Sequence, residues 1–143
     1  HSGTAIVGNF GGSGFFDYTA LGDAMNTAAR LESANKQFGT RIAISGETVR
    51  RCPGFTGRKI GDIILKGKRE PTEVYEPMTD ETKKSDGYER YRAAYALMAG
   101  RARGARKAFE TLADDYPDDG LVAFHLARLK AGDKGEVIEL LEK

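Results

Sequence analysis

Asp23, Asn26 and Arg30 stand at i, i+3 and i+7 of a stretch with helical periodicity, so a carboxylate, a carboxamide and a guanidinium share one helix face. A carboxamide and a guanidinium one turn apart can both reach a single small anionic group. Taken alone, the same stripe also fits a solvated polar face. Just upstream, Gly8 to Gly14 (GNFGGSG) runs into this helix, the placement a phosphate-binding loop has. A P-loop needs a lysine for the β- and γ-phosphates and a hydroxyl for Mg²⁺, and no lysine follows Gly14. The dinucleotide fingerprint also fails, because Gly12-Ser13-Gly14 is followed by Phe15, Phe16 and Asp17. These glycines are therefore expected to make a tight hairpin turn.

The elements that must hold the stripe can be read from patterning. Ser2 to Gly8 reads as a strand, and the glycine turn folds it back through Phe15, Phe16 and Tyr18. Leu21 to Lys36 reads as a helix, with Leu21, Met25, Ala28, Ala29 and Leu31 at helical spacing and Gly39 beyond its end. Arg41 to Ser45 is an expected strand, and Gly46 to Arg51 a short helix capped by Ser45. Phe55 to Leu65 and Thr72 to Glu76 are expected strands joined by the basic turn Lys66-Gly67-Lys68-Arg69. Residues 1–78 thus read as α+β. Residues 79–87 read as a polar linker, and residues 88–143 as four short helices: Tyr88 to Ala99, Arg103 to Tyr116, Leu121 to Ala131 and Gly135 to Glu142.

Composition narrows the function. The chain is 143 residues long, 40% hydrophobic and 30% charged, as expected of one ordinary globular domain or two small ones. With 22 Lys+Arg against 21 Asp+Glu there is no overall field to draw nucleic acid or an anionic membrane, so no nucleic-acid partner is expected. No run approaches the roughly 18 apolar residues of a membrane helix, and the reading is of a cytoplasmic segment whose parent can carry an anchor upstream. The single cysteine, Cys52, excludes an internal disulfide and reads as a small half-buried filler.

Read in order, GTAIVGNFG, then DYTALGDAMNTAARLE, then IAISGET and LKGKREPTEVYE resemble the C-terminal half of the class III adenylate/guanylate cyclase catalytic domain over about residues 1 to 77. The resemblance implies a ferredoxin-like α+β fold and a head-to-tail homodimer with active sites in the cleft between protomers. It implies that Asn26 orients the ribose of ATP and that Arg30 stabilises charge on the α-phosphate as the 3′-hydroxyl attacks and pyrophosphate leaves. Lys66 matches the lysine that holds the terminal phosphates. Thr19 matches the purine-reading position, where many adenylate cyclases carry Asp and one subgroup carries Thr. A hydroxyl donates or accepts, so Thr19 favours ATP less firmly than a carboxylate does and leaves GTP open. Asp23 is expected to cap or brace the helix, and no role is assigned to Asp17.

The family uses two Mg²⁺ or Mn²⁺ ions held by two aspartates, which lie with a purine-reading lysine upstream of the matched segment. This sequence contains no match to them, and no residue here is assigned to metal. The strand-like start, with no cap before it, suggests a chain beginning inside a larger domain. The expectation is therefore of part of an adenylate cyclase, inactive by itself, with a sheet edge and an apolar face left open. In the tail, Ala105, Phe109 and Pro117 fall at tetratricopeptide offsets, and Ala93 and Ala127 lie one such repeat apart, so the tail resembles that family too and is a candidate for a protein contact. The alternatives are a guanylate cyclase and a degenerate, non-catalytic module whose tail binds a partner.

Overall fold

The computed structural model describes residues 1–140 and shows an α+β chain with two sheets. In chain order the elements are β1 (Ile6–Gly12), β2 (Phe15–Leu21), α1 (Asp23–Phe38), β3 (Ile44–Ser45), α2 (Gly46–Arg50), β4 (Gly57–Ile64) and β5 (Thr72–Pro77). These are followed by α3 (Asp80–Lys83), α4 (Asp86–Ala99), α5 (Ala105–Asp115), α6 (Gly120–Ala131) and β6 (Val137–Glu139). β1 and β2 form an antiparallel hairpin by themselves. The second sheet has the order β3-β5-β4-β6, with β6 parallel to β4. Among the described residues no helix is long and apolar enough to cross a membrane.

Helix α1 buries Thr27, Leu31, Ala34 and Phe38, spaced i, i+4, i+7 and i+11. This differs from the apolar face expected from sequence, since Leu21 belongs to β2 and Met25 is 47% exposed. The shift has a cause: packing comes from α6 and the four-stranded sheet, and it selects the stripe carrying the larger Leu31 and Phe38. Phe38 meets Phe124 of α6 edge-on at 5.4 Å. The same junction brings two backbones together: a Cβ on Gly39 would stand 2.7 Å from Gly120 Cα, and one on Gly120 2.3 Å from the Gly39 carbonyl oxygen. No residue with a side chain fits at this crossing without a shift. Gly39 also ends α1 in the left-handed conformation, φ 69°.

The core is continuous across the expected division. Leu31, Phe38, Ile60, Ile63 and Val74 pack in one cluster with Tyr91, Met98, Phe109 and Leu121 of the tail. Two expectations for the second half and two for the first are corrected. The polar stretch 79–87 contains α3 and the start of α4, because Thr79 and Ser85 each cap a helix by accepting a backbone N–H three residues on. The expected fourth tail helix is instead β6 over Val137–Glu139, where β-branched Val137 and Ile138 follow a positive-φ Gly135 and complete the edge of β4; Leu141 and Glu142 lie outside the described residues. The strand expected from Arg41 is reduced to Ile44–Ser45, and Cys52 is exposed rather than half-buried.

A buried polar network ties the tail to β4. Arg58 donates to both carboxylate oxygens of Asp119 at 2.6 and 2.8 Å and to Glu76 at 2.8 Å, while its guanidinium lies 4.6 Å from the centre of the Tyr91 ring. Asp119 also caps α6 by accepting from the Leu121 and Val122 amides. Burial works against its charge, but Arg58 and these amides hold its carboxyl below the usual range. The Tyr91 hydroxyl donates to the Lys59 carbonyl at 2.7 Å, so it accepts from His125 Nε2–H at 3.1 Å. His125 is completely buried, and burial together with the Arg128 and Arg58 cations pushes its pKa from 6.5 down to about 3. The unfolded chain therefore binds a proton that the folded one refuses. Stability is full above about pH 6.5 and falls as pH drops toward 3. The loss between pH 7.5 and pH 5 is expected to be about 2 kcal/mol. His125→Phe, which keeps the ring packing, should flatten that part of the profile measured by denaturant unfolding.

Candidate functional site

The glycine stretch forms the hairpin expected from sequence. β1 and β2 pair in register from Ile6↔Leu21 to Gly12↔Phe15, leaving Ser13-Gly14 as a two-residue turn with Gly14 at φ 106°. Gly11 is required for a different reason, because a Cβ there would lie 1.9 Å from the Phe15 carbonyl oxygen. Ile6, Val7, Phe15, Phe16 and Tyr18 on this hairpin are all more than half exposed, the open apolar surface expected from sequence.

The chemistry-bearing groups gather on the next element. With Thr27, Leu31, Ala34 and Phe38 facing the core, the residues one step earlier (Asn26, Arg30, Ser33 and Gln37) form the neighbouring stripe of α1. They line a cavity of about 350 Å³ together with Ala29, Ala34, Leu65, Lys66 and Leu140. Three of the four residues singled out from sequence, Asn26, Arg30 and Lys66, thus meet at one place, although Lys66 is 36 positions beyond Arg30. Thr19 is on β2 opposite Gly8 and does not line this cavity.

The β4–β5 turn brings Lys66 in. Gly67 takes φ 71°, and the Lys68 amide donates back to the Leu65 carbonyl at 2.9 Å. Arg30 lies over this turn: a Cβ on Gly67 would be 3.8 Å from its Nη2. Lys68 Nζ donates to Asp23 at 2.7 Å, clamping the turn to the first turn of α1. Asp23 therefore braces the turn against α1 by pairing with Lys68, and no side chain caps the start of the helix. Among the described residues the Arg30 guanidinium has no carboxylate partner and the Asn26 carboxamide no hydrogen bond. A guanidinium and a carboxamide beside Lys66 can receive an anionic group with hydrogen-bonding neighbours. Among the described residues no group of three His, Cys, Asp or Glu is placed to hold a metal ion.

Ser33 and Gln37 were legible as continuations of the Asn26–Arg30 spacing. Leu140 had no sequence signal, because it enters the cavity only through the strand β6 that the helical expectation missed.

The chain is 40% identical over 77 residues to adenylate cyclase 1 of Rhizobium meliloti (strain 1021), covering 53% of this chain and 12% of that protein. It is 40% identical over 80 residues to an adenylate cyclase of Anabaena cylindrica, covering 53% of this chain and 16% of the relative. A terminal-differentiation specific adenylate cyclase of Dictyostelium discoideum is 33% identical over 85 residues, with 57% of this chain and 4% of the relative covered. About half of this chain is therefore related to adenylate cyclases, and the chain spans less than a fifth of the length of these relatives. No family model matches it.

The hairpin reading is tested by two alanines. Gly11→Ala should break β1–β2 pairing and raise amide exchange across residues 6–21 at least about 10-fold, while Gly12→Ala, with open space around its Cβ, should leave exchange unchanged.

Proposed function

We propose that this chain is the nucleotide-binding and transition-state half of an adenylate cyclase active site, converting ATP to 3′,5′-cyclic AMP and pyrophosphate. The observation that carries the reading is the meeting of Asn26, Arg30 and Lys66 around one cavity. Its support from relatives is that about half of the chain resembles proteins named adenylate cyclase.

In this reading the ribose 3′-hydroxyl attacks the α-phosphorus, and negative charge grows on the phosphoryl oxygens before pyrophosphate departs. Arg30 is anchored in the middle of α1, so its guanidinium is already in place when that charge is greatest. Asn26, one turn earlier, has a donor and an acceptor to fix the ribose, and the loss of its ordering would leave the attacking oxygen misaligned. Lys66, on the turn opposite, neutralises the terminal phosphates and favours pyrophosphate as leaving group. Thr19 stands on β2 outside this cavity, so its reading of the purine rests on the resemblance alone, with adenine as the base and guanine as the alternative.

The reaction uses two Mg²⁺ or Mn²⁺ ions, and the described residues of this chain do not supply a ligand set for them. Those ligands belong to another polypeptide segment, so no step here is assigned to the ions. The exposed apolar hairpin gives a face on which a second catalytic half can close, in keeping with a head-to-tail homodimer. A cytoplasmic setting follows from the substrate.

Purified chain with Mn-ATP should form no cyclic AMP above background, and should gain turnover when mixed with a cyclase half-domain carrying two metal-binding aspartates. In that mixture Arg30→Ala should lower turnover on the order of 10³-fold with the circular dichroism unchanged. Turnover by the chain alone would overturn the division of labour, and undiminished turnover in the variant would remove Arg30 from the chemistry.

A further inference from the structure

The tail reaches the cavity through Leu140. Arg128 on α6 donates from Nη2 to the Gly135 carbonyl at 3.3 Å and to the Val137 carbonyl at 3.5 Å, pinning the start of β6 to the helix. From there β6 runs parallel to β4 in the register Asp62↔Val137, Ile63↔Ile138 and Ile64↔Glu139. One further step along both strands reaches Leu65 and Leu140, and both line the cavity that holds Asn26, Arg30 and Lys66. Leu140 is partly buried against the core, whereas Ile138 beside it is 4% exposed.

These contacts close a ring. α1 is locked to α6 at the Gly39–Gly120 crossing, α6 holds β6 through Arg128, and β6 pairs with β4. β4 leads into the Lys66 turn, and that turn returns to α1 through Lys68–Asp23 and the Arg30 guanidinium over Gly67. Without β6, β4 would be an edge strand, paired with β5 on one side and with the N–H and C=O groups of its other edge free.

We propose that Leu140 is a positioning residue of the nucleotide cavity: delivered by β6, it forms an apolar wall with Leu65 and Ala29 that sets the Lys66 turn against Arg30, making the helical tail part of the catalytic unit. The proposal rests on the cyclase reading for what the cavity binds, but its structural content does not. An apolar wall beside Arg30 and the Lys66 turn would narrow the orientations open to the Arg30 side chain. A partner that peels β6 from β4 would loosen the site without touching the nucleotide.

The test uses the full chain with Leu140→Ala, Leu140→Val and Leu140→Met. Amide exchange at residues 66–69 and the Arg30 Nε–H resonance are read in each, with the hairpin residues 6–21 as the internal reference. Leu140→Ala should raise exchange at residues 66–69 about 10-fold and shift the Arg30 resonance, Leu140→Val should do so less, and Leu140→Met should restore both. Where Leu140→Ala does not fold, Leu140→Val carries the comparison. In the mixture with a metal-binding half-domain, Leu140→Ala should lower kcat about 10-fold with KM for ATP changed less than 3-fold, and Leu140→Met should recover it. Exchange at residues 66–69 and an Arg30 signal that are unchanged in both smaller variants would overturn the proposal. Absent turnover in every sample, wild type included, would instead count against the cyclase reading, and the exchange data would still decide the role of Leu140.

Discussion

The burial of one stripe of α1 is the constraint on which the site depends. Successive helical residues are turned by about 100°, so once Thr27, Leu31, Ala34 and Phe38 face the core, Asn26, Arg30, Ser33 and Gln37 have a fixed direction. Full burial of a Leu or Phe side chain is worth about 1.5–3 kcal/mol. Turning the helix by one residue would expose Leu31 and Phe38 and carry Arg30 into an apolar core, where an unpaired cation costs several kcal/mol more. The two penalties have the same sign, and the register of α1 is correspondingly secure. The face from which the Arg30 side chain leaves the helix is thus a consequence of hydrophobic packing and not of any hydrogen bond it makes.

The packing that fixes α1 comes largely from the tail. Phe124, Leu121 and Val122 of α6 supply its cover, and two glycines allow the backbones of residues 39 and 120 to touch. The partly buried pair Arg58–Asp119 adds direction rather than bulk: Asp119 caps α6 and binds a strand residue with the same carboxylate, so the helix can start at only one point along β4. Burying such a pair adds little net stability, but breaking it would leave an uncompensated charge. The tail helices thus hold the front half in place, as the continuous core across the two halves shows.

Much of the front half was legible in the sequence because its signals are local. The Gly11 to Gly14 turn, the Ser45 cap and the Lys66–Arg69 turn each carry their chemistry within four residues, and the spacing of Asn26 and Arg30 gives their shared face directly. What was misread depends on distant partners. The buried face of α1 could not be chosen without knowing that α6 covers it, and Met25 looked as apolar as Leu31. Val137–Glu139 became a strand because β4 had an open edge, information that a run of eight residues does not contain. The same non-local pairing hid Leu140, while Thr19, named from resemblance, stands on the hairpin and outside the cavity.

The phosphates of a nucleotide are expected to meet the α1 stripe and the Lys66 turn, and not the glycine hairpin. Titrating the ¹⁵N-labelled chain with a non-hydrolysable ATP analogue and following its amide and side-chain resonances separates the two. Shifts centred on Asn26, Arg30 and residues 66–68, with Gly11 to Gly14 unmoved, are the predicted result. Shifts centred on Gly8 to Gly14, with Arg30 and Lys66 unchanged, would contradict it.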